Sequence, residues 1–499
     1  MTRVRPLVAL VNSNLVKPAV GPIALDYLHG PLVQAGYDAK LLDLCFSDDW
    51  RAAIVDWCEA NRPDFWAVTF RNTDDMYYPS RTSFVGLVGE MIERLRAQRA
   101  VPVIVGGVGF SVMPEALLVR LGADYGVAGE GEVALPMLLD RLAAGRRCDD
   151  VRGLVWRDCG RVRRNPARPI ELSSLPARTR TLIDNARYFS AGGMAGIETQ
   201  RGCNRACAHC VEPFAKGAAV RRRGHDLVLD EIRALLAQGV DTLHINDSEF
   251  NLDVEHAIGF CEALERSGLS REITWYAYGM PHPFPDALAA RMAAAGCGGM
   301  NFGCDSGSPK ILRLIQRTFR QRHIADAVAT ARRHGLRHIL ELLVGFPGET
   351  QQDVRDSIDF VKRADPELVA VTVGIRLFAH TPLGEMARRE GLDEANPNLY
   401  GPLAGNEDLA EPLFYVSAAL GPDPEAFVAG VIGDDPRFLS VNDRDFNYYA
   451  NGRLVEAIAG GARGAYWKIL SDLRRARPPA ETRRPGAVAG AHISAGVSL

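Results

Sequence analysis

The chain has 499 residues, 47% of them apolar and 24% charged, with a net charge of −3 and a pI near 6.4. Those proportions belong to an ordinary soluble globular protein with room for about three domains. The balanced charge argues against nucleic acid or an anionic membrane as a partner, and neither is expected.

The opening "MTRVRPLVALVNSN" carries only a short apolar run, too brief for a signal peptide, and no run of about eighteen apolar residues follows. A cytoplasmic, reducing location is expected, and it suits free thiols. Strand and helix then alternate. LVALV (7–11) is a first strand, followed by a helix over 21–35. AKLLDL, FWAVTF (65–70), VPVIVGG and DYGVAGEGE supply four more strands, with helices around WRAAIVDWCEAN, GLVGEMIERLRAQ and VALPMLLDRLAAG and a short one from Pro114. Continuous apolar strands with crossover helices imply a parallel sheet covered on both faces. Residues 1–150 are therefore expected to form a Rossmann-like domain. Ligands of such sheets lie beyond the carboxyl ends of the strands, which nominates the loops 12–21, 71–79 and 106–114. GGVGF in the third loop would let backbone approach a bulky ligand, although turns also need glycine.

Residues 151–194 read as a connector, a short hairpin and then an extended segment. A second alternating series starts at GIETQ (196–200) and continues through TLHIND, ITWYAYGM, GGMNFGCDSG, HILELLVGFPG and LVAVTVGIRLF. Six such units make a partial (β/α)6 barrel of the TIM type over 195–388, with its active site at the strands' C-terminal ends. The fold class is thus α/β. A mostly helical C-terminal region is expected over 389–476, and a Pro-, Gly- and Ala-rich tail over 477–499 is expected to be disordered.

Directly after the first barrel strand comes RGCNRACAHC, which places Cys203, Cys207 and Cys210 in C-x3-C-x2-C spacing. Secreted disulfide frameworks use cysteine more densely and evenly. A zinc site usually needs a fourth ligand, and no second cysteine or histidine pair follows. Three thiolates on one loop suit an iron–sulfur cluster with one iron left open.

This loop resembles the signature of the radical S-adenosylmethionine (SAM) superfamily. The resemblance implies a 4Fe–4S cluster held by Cys203, Cys207 and Cys210, with SAM on the open iron. His209 stands where the family has an aromatic residue beside the adenine; its alternative is a solvent-facing loop position. Glu249 in NDSEFN is the candidate for the SAM amino group. It could instead cap the helix near Asp253, a role open equally to Asp247 and Ser248. Ser306 in CDSGSPKIL resembles the family's serine near the SAM ribose or carboxylate. Gly345 and Gly348 in VGFPGET resemble the turn beside the adenine, with a purely structural turn as the alternative.

A parallel-sheet domain ahead of such a barrel resembles the cobalamin-dependent radical SAM enzymes, and 106–132 is similar to their cobalamin-binding domain. The residues this sets against cobalamin are Asn12, Ser13, Asn14, Thr69, Arg71, Asn72, Gly106, Gly107, Val108, Gly109 and Glu130. Many cobalamin domains carry D-x-H-x-x-G after the first strand, whereas this chain has NSNLVKPAVG, and His29 lies well into the next helix. Either cobalamin binds without a protein histidine, which is the expectation because the glycine-rich segment is kept, or the domain has lost the cofactor. A resemblance to tryptophan 2-methyltransferase implies that Arg71 fills the lower face of the cobalt without ligating it. Its alternative is a salt bridge to Asp74 or Asp75.

Most of the family are methyltransferases: one SAM methylates cobalamin, and a second usually yields a 5′-deoxyadenosyl radical. The implied activity is methyl transfer from SAM via methylcobalamin to an unactivated carbon of a small molecule or peptide precursor. A flavodoxin or ferredoxin is the implied electron donor. Cyclisation or rearrangement, and a cluster-binding protein without turnover, are the alternatives. A methylthiotransferase is disfavoured because Cys45, Cys58 and Cys148 are scattered. Tyr276, Tyr278 and His380 are either core or substrate contacts.

Overall fold

The computed structural model describes residues 5–439, 448–449 and 451–476. The tail over 477–499 lies outside the described residues. Strands β1 (Leu7–Asn12), β2 (Asp38–Asp43), β3 (Phe65–Thr69), β4 (Val103–Gly106) and β5 (Tyr125–Val127) pair in parallel, in the order β2-β1-β3-β4-β5. Alternate side chains of β1 enter opposite cores. Val8 and Leu10 pack under helices Ile23–Gln34 and Gly131–Ala143, and Ala9 and Val11 under Trp50–Ala60 and Val85–Gln98. This two-sided burial explains why the strands read as unbroken apolar runs.

The connector's hairpin is present as β6 (Leu154–Asp158) and β7 (Arg161–Arg164). It is not a free linker, because β6 pairs antiparallel with β5 and extends the first sheet to seven strands. The 106–114 loop also differs from expectation. It folds into the short helix Val108–Val112, which packs against the helix Glu212–Lys216 just beyond the cysteines.

The barrel strands are β8 (Ala195–Ile197), then, past the short antiparallel pair β9 (Gln200–Arg201) and β10 (Arg221–Arg222), β11 (Thr242–Ile245), β12 (Thr274–Gly279), β13 (Cys297–Asp305), β14 (His338–Val344) and β15 (Leu368–Val373). All six pair in parallel in chain order, as the partial barrel requires. Side chains alternate across each strand. Trp275, Phe302, Leu340 and Val371 face the outer helices, while Tyr276, Ile339, Leu368 and Ala370 seal the barrel floor together with Trp467. Tyr276 is therefore core.

Trp467 comes from the C-terminal helix Tyr466–Arg475, so that helix plugs the bottom of the barrel. The C-terminal region is less helical than expected at its start. β16 (Ile375–Arg376), β17 (Leu399–Tyr400) and β18 (Phe414–Tyr415) form a small antiparallel sheet, and helices resume only at Pro424–Ile432. Short strands flanked by proline and glycine gave no apolar run long enough to read.

A buried ionic network ties the two large units together. Arg180 of the connector pairs with Asp26 at 2.8 Å and with Glu231 of the barrel at 2.9 Å, and all three side chains are at most 2% exposed. Removing one partner of such a set strands the others in low dielectric. Arg180→Ala should therefore lower the unfolding free energy by about 3–5 kcal/mol. The urea midpoint, followed by circular dichroism, checks this.

Candidate active site

The cysteine loop is pinned from three sides. Asp247, at the end of β11, accepts from Thr199 N at 2.8 Å and Gln200 N at 3.1 Å, fixing the corner before the loop. Cys203 N donates to Gly217 O at 3.0 Å, and Ala208 N to Ile315 O at 3.1 Å. Arg201 pairs with Glu130, Glu132 and Glu198. Cys203, Cys207 and Cys210 are free thiols, and burial raises the pKa of each, that of Cys210 to about 12. Ligation must therefore draw off their protons. Arg317 assists, since its Nη1 lies 3.4 Å from Cys207 Sγ while its Nε donates to Asp305 at 2.5 Å.

Among the described residues no three His, Cys, Asp or Glu side chains stand together as a metal-ligating group. The surroundings nonetheless fit a bound charged group. Glu249 Oε2, Gln200 Oε1, Arg205 Nε and His209 Nδ1 are buried without hydrogen-bond partners among the described residues. Native proteins leave few such atoms unsatisfied, so four around one loop mark a place for ligand atoms.

Glu249 does not cap a helix, because Asp253 caps its own by accepting from His256 N at 3.1 Å. Asp247 holds the corner, and Ser248 donates to Glu212 at 2.6 Å. Burial pushes the Glu249 pKa up to about 8 despite the pull of Arg317, as befits a carboxyl lacking its cation. His209 is not solvent-facing. Its side chain is 14% exposed, its Nε2 is 3.6 Å from Asp305, and its ring meets Phe346 edge-on at 5.5 Å. Ser306 Oγ accepts from Ser308 N at 3.0 Å, so it shapes the turn after β13. Gly345, at φ +120°, would place a Cβ 3.2 Å from Val416 Cα, and Gly348 takes the left-handed φ +66° that favours glycine. Both glycines thus have structural reasons that need no ligand.

The register of β13 shifts between Gly303 and Asp305, and Asp305 takes φ +60°. Bulges of this kind re-aim side chains beside active sites. Here the shift turns Asp305 towards Arg317 and His209. Neither Asp305 nor Arg317 was singled out in the sequence. The glycine–serine turn beside Asp305 was a signal, and nothing local marked Arg317.

The first sheet contributes a cavity of about 240 Å3 beyond its carboxyl ends, lined by Ser13, Asn14, Phe70, Arg71, Asn72 and Tyr449 among others. Asp74 is taken by Arg376 at 2.8 Å, both fully buried, and Asp75 accepts from Ser80 and Thr82. Among the described residues Arg71 has no ion pair with either aspartate, so the salt-bridge alternative fails. Tyr278 is 41% exposed and feels the charge of Arg71. His380 is exposed beside Phe214, with ring centroids 6.3 Å apart.

Several of the residues set against cobalamin also have partners within the fold. Asn12 donates to Asp43 at 2.9 Å and to Tyr188 at 2.8 Å. Thr69 O accepts from Ser13 at 2.6 Å. A Cβ on Gly107 would lie 2.7 Å from Phe70 O, and one on Gly109 2.9 Å from the Arg71 backbone. The glycines thus let helix Val108–Val112 approach the 71–79 loop closely. Gly106 ends β4, its O accepting from Phe70 N at 2.7 Å, and Val108 is 41% exposed. Glu130 is engaged by Arg201, Arg221 and Ile170 N, which ties it to the cysteine loop.

The sequence pattern of the B12 binding domain matches residues 11–139, and that of the radical SAM superfamily matches 197–361. Tryptophan 2-C-methyltransferase of Streptomyces laurentii is 35% identical over 441 residues, covering 76% of this chain and 74% of that protein. The chain belongs to the cobalamin-dependent radical SAM methyltransferases. The radical SAM methyltransferase TsrM of Kitasatospora setae, solved with tryptophan and a SAM analogue, superposes with a TM-score of 0.84 at 30% identity. That match covers 94% of this chain and 99% of TsrM. The cobalamin-dependent enzyme OxsB shares the fold, with a TM-score of 0.68 at 17% identity over 83% of this chain and 64% of OxsB. The cofactors of the family are a 4Fe–4S cluster, SAM and cobalamin, and methyl transfer prevails over the rearrangement and non-catalytic readings. Among the described residues no helix is long and apolar enough to cross a membrane.

Within this family the buried carboxyl at position 249 can be tested alone. Glu249→Gln should weaken SAM binding by about tenfold, the loss of one charge-assisted hydrogen bond, without loss of iron. Isothermal titration with SAM, beside iron analysis, measures both. Unchanged affinity would move the amino-group contact to another residue, with Ser306 next.

Proposed function

We propose that this methyltransferase acts on a carbon of an aromatic small molecule, with tryptophan or a related indole as the first candidate. The observation that carries the reading is Arg71: a guanidinium without a carboxylate partner among the described residues, lining the cavity of the first sheet, its charge acting on Tyr278 of the barrel. The likeness to a tryptophan 2-C-methyltransferase over most of both chains supports the substrate class.

In this reading Cys203, Cys207 and Cys210 would hold the cluster, with Arg317 offsetting thiolate charge at Cys207. Glu249 would take the ammonium of SAM, and the edge of His209, backed by Phe346, would border its adenine. Ser13, Asn14, Arg71 and Asn72 would meet cobalamin. When bound, these groups supply an electron, the methyl group and its carrier; the protein orients them and excludes water. A flavodoxin or ferredoxin is the proposed electron source.

The test is anaerobic incubation with methyl-labelled SAM, a low-potential reductant and tryptophan, read by mass spectrometry. Labelled methyltryptophan with S-adenosylhomocysteine is the expected result. Deoxyadenosine alone, without methylated product across a panel of indoles, would overturn the proposal.

A further inference from the structure

One polar pair inside the barrel is used neither by the cysteine loop nor by the groups around it. Just above the apolar floor formed by Tyr276, Ile339, Leu368 and Trp467, the inward-facing positions are Tyr278 on β12, Asn301 on β13 and Glu341 on β14, with His244 on β11. Asn301 Nδ2 donates to Glu341 Oε1 at 2.7 Å. Asn301 is 2% exposed, yet its Oδ1 has no hydrogen-bond partner among the described residues. Tyr278 and His244 meet edge-on at 5.1 Å and form an aromatic wall.

Among the described residues the cations nearby do not serve this pair: Arg317 is held by Asp305, and no lysine or arginine acts on Glu341. Burial and the charge of Asp305 raise the pKa of Glu341, so the site disfavours a bare carboxylate and gains from a cation. A buried, unpaired acceptor costs free energy unless a donor arrives. Here two acceptors stand side by side. An indole N–H or a hydroxyl offers one proton, whereas an ammonium offers three.

We infer that Glu341 and Asn301 form the ammonium subsite for the methyl acceptor: a primary ammonium donates to Glu341 and to Asn301 Oδ1, with the substrate's ring against Tyr278 and His244. This deepens the proposed function and rests on it, naming the acceptor as an aromatic amine or amino acid. Tyr278 can add a cation–π contact. The neutral walls and the sealed floor fix how deep the substrate sits.

Equilibrium titration of the cofactor-loaded, full-length enzyme with tryptophan and with indole-3-propionate tests this without turnover. The two differ only in the ammonium. The wild type should bind tryptophan at least about tenfold more tightly, since a site built for a donor rejects the analogue that lacks it. Glu341→Gln and, independently, Asn301→Leu should each bring that ratio close to one. A ratio taken within one preparation is insensitive to a misfolded fraction, which guards against a merely structural effect. Equal binding or no binding of both compounds by the wild type, or a full ratio kept in both variants, would overturn the subsite. Discrimination without methylation of either compound would sink the proposed function and leave the subsite standing; methylation of tryptophan without discrimination would do the reverse.

Discussion

Cys207→Ala should yield a protein with less than one iron per chain, in place of about four, and with no detectable methyl transfer. Cys203→Ala and Cys210→Ala should behave alike, while Cys297→Ala should keep a full cluster. The argument is positional. The three thiols share one loop fixed at both ends by backbone hydrogen bonds, and Arg317 stands beside Cys207 at 3.4 Å. Cys297 lies at the start of β13, at the opposite end of the strand from Asp305, with its thiol directed at Gly299 O. Anaerobic reconstitution followed by iron and sulfide analysis and Mössbauer spectroscopy reads the outcome. A full cluster in Cys207→Ala, or its loss in Cys297→Ala, would refute the assignment. Arg317→Ala is the graded companion: partners just outside the ligand set typically cost about 10–100-fold in metal affinity or activity when removed.

Replacing Arg71 should cost activity and little else. Asp74 has Arg376, and Asp75 has Ser80 and Thr82, so no buried carboxylate loses its partner. Stability should thus change by no more than about 0.5 kcal/mol, as at ordinary partly exposed positions. If the guanidinium occupies the lower face of the cobalt, Arg71→Ala should lower the methyl-transfer rate at least about tenfold, roughly 1.4 kcal/mol in the barrier. Arg71→Lys should fail to restore it, because an ammonium lacks the planar fork. The electron paramagnetic resonance spectrum of the Co(II) state should show no nitrogen superhyperfine splitting in the wild type. Clear splitting there would contradict the unligated cobalt, and full activity with an unaltered spectrum in Arg71→Ala would remove the arginine from the site.

Much of this was legible because it is written locally. C-x3-C-x2-C needs only adjacent residues, and apolar runs separated by helical stretches encode parallel strands whose order follows the chain. Hence the α/β class, the six-stranded barrel and the place of the cysteine loop could be read directly. The use of the glycines in GGVGF could not. Whether they face a ligand or a neighbouring loop depends on where Phe70 and Arg71 come to lie, and the fold sets those against Gly107 and Gly109. Glu130 likewise looks free in sequence and is spent on Arg201 and Arg221.

Charge partners were the least legible part. Arg376 and Asp74 are 302 positions apart, Arg317 and Cys207 are 110, and Asn301 and Glu341 are 40. No local periodicity links such residues. Asn301 and Glu341 meet through the register of β13 against β14, while the other two pairs join loops and strands that only the packing of the elements brings together. The sequence by itself determined where the cluster ligands lie, since C-x3-C-x2-C is a contiguous motif, and its resemblance to the family pointed to the other cofactors. Only the tertiary structure decided which charges are left unpaired around them, because ion pairing is settled by three-dimensional proximity in a low dielectric rather than by spacing along the chain.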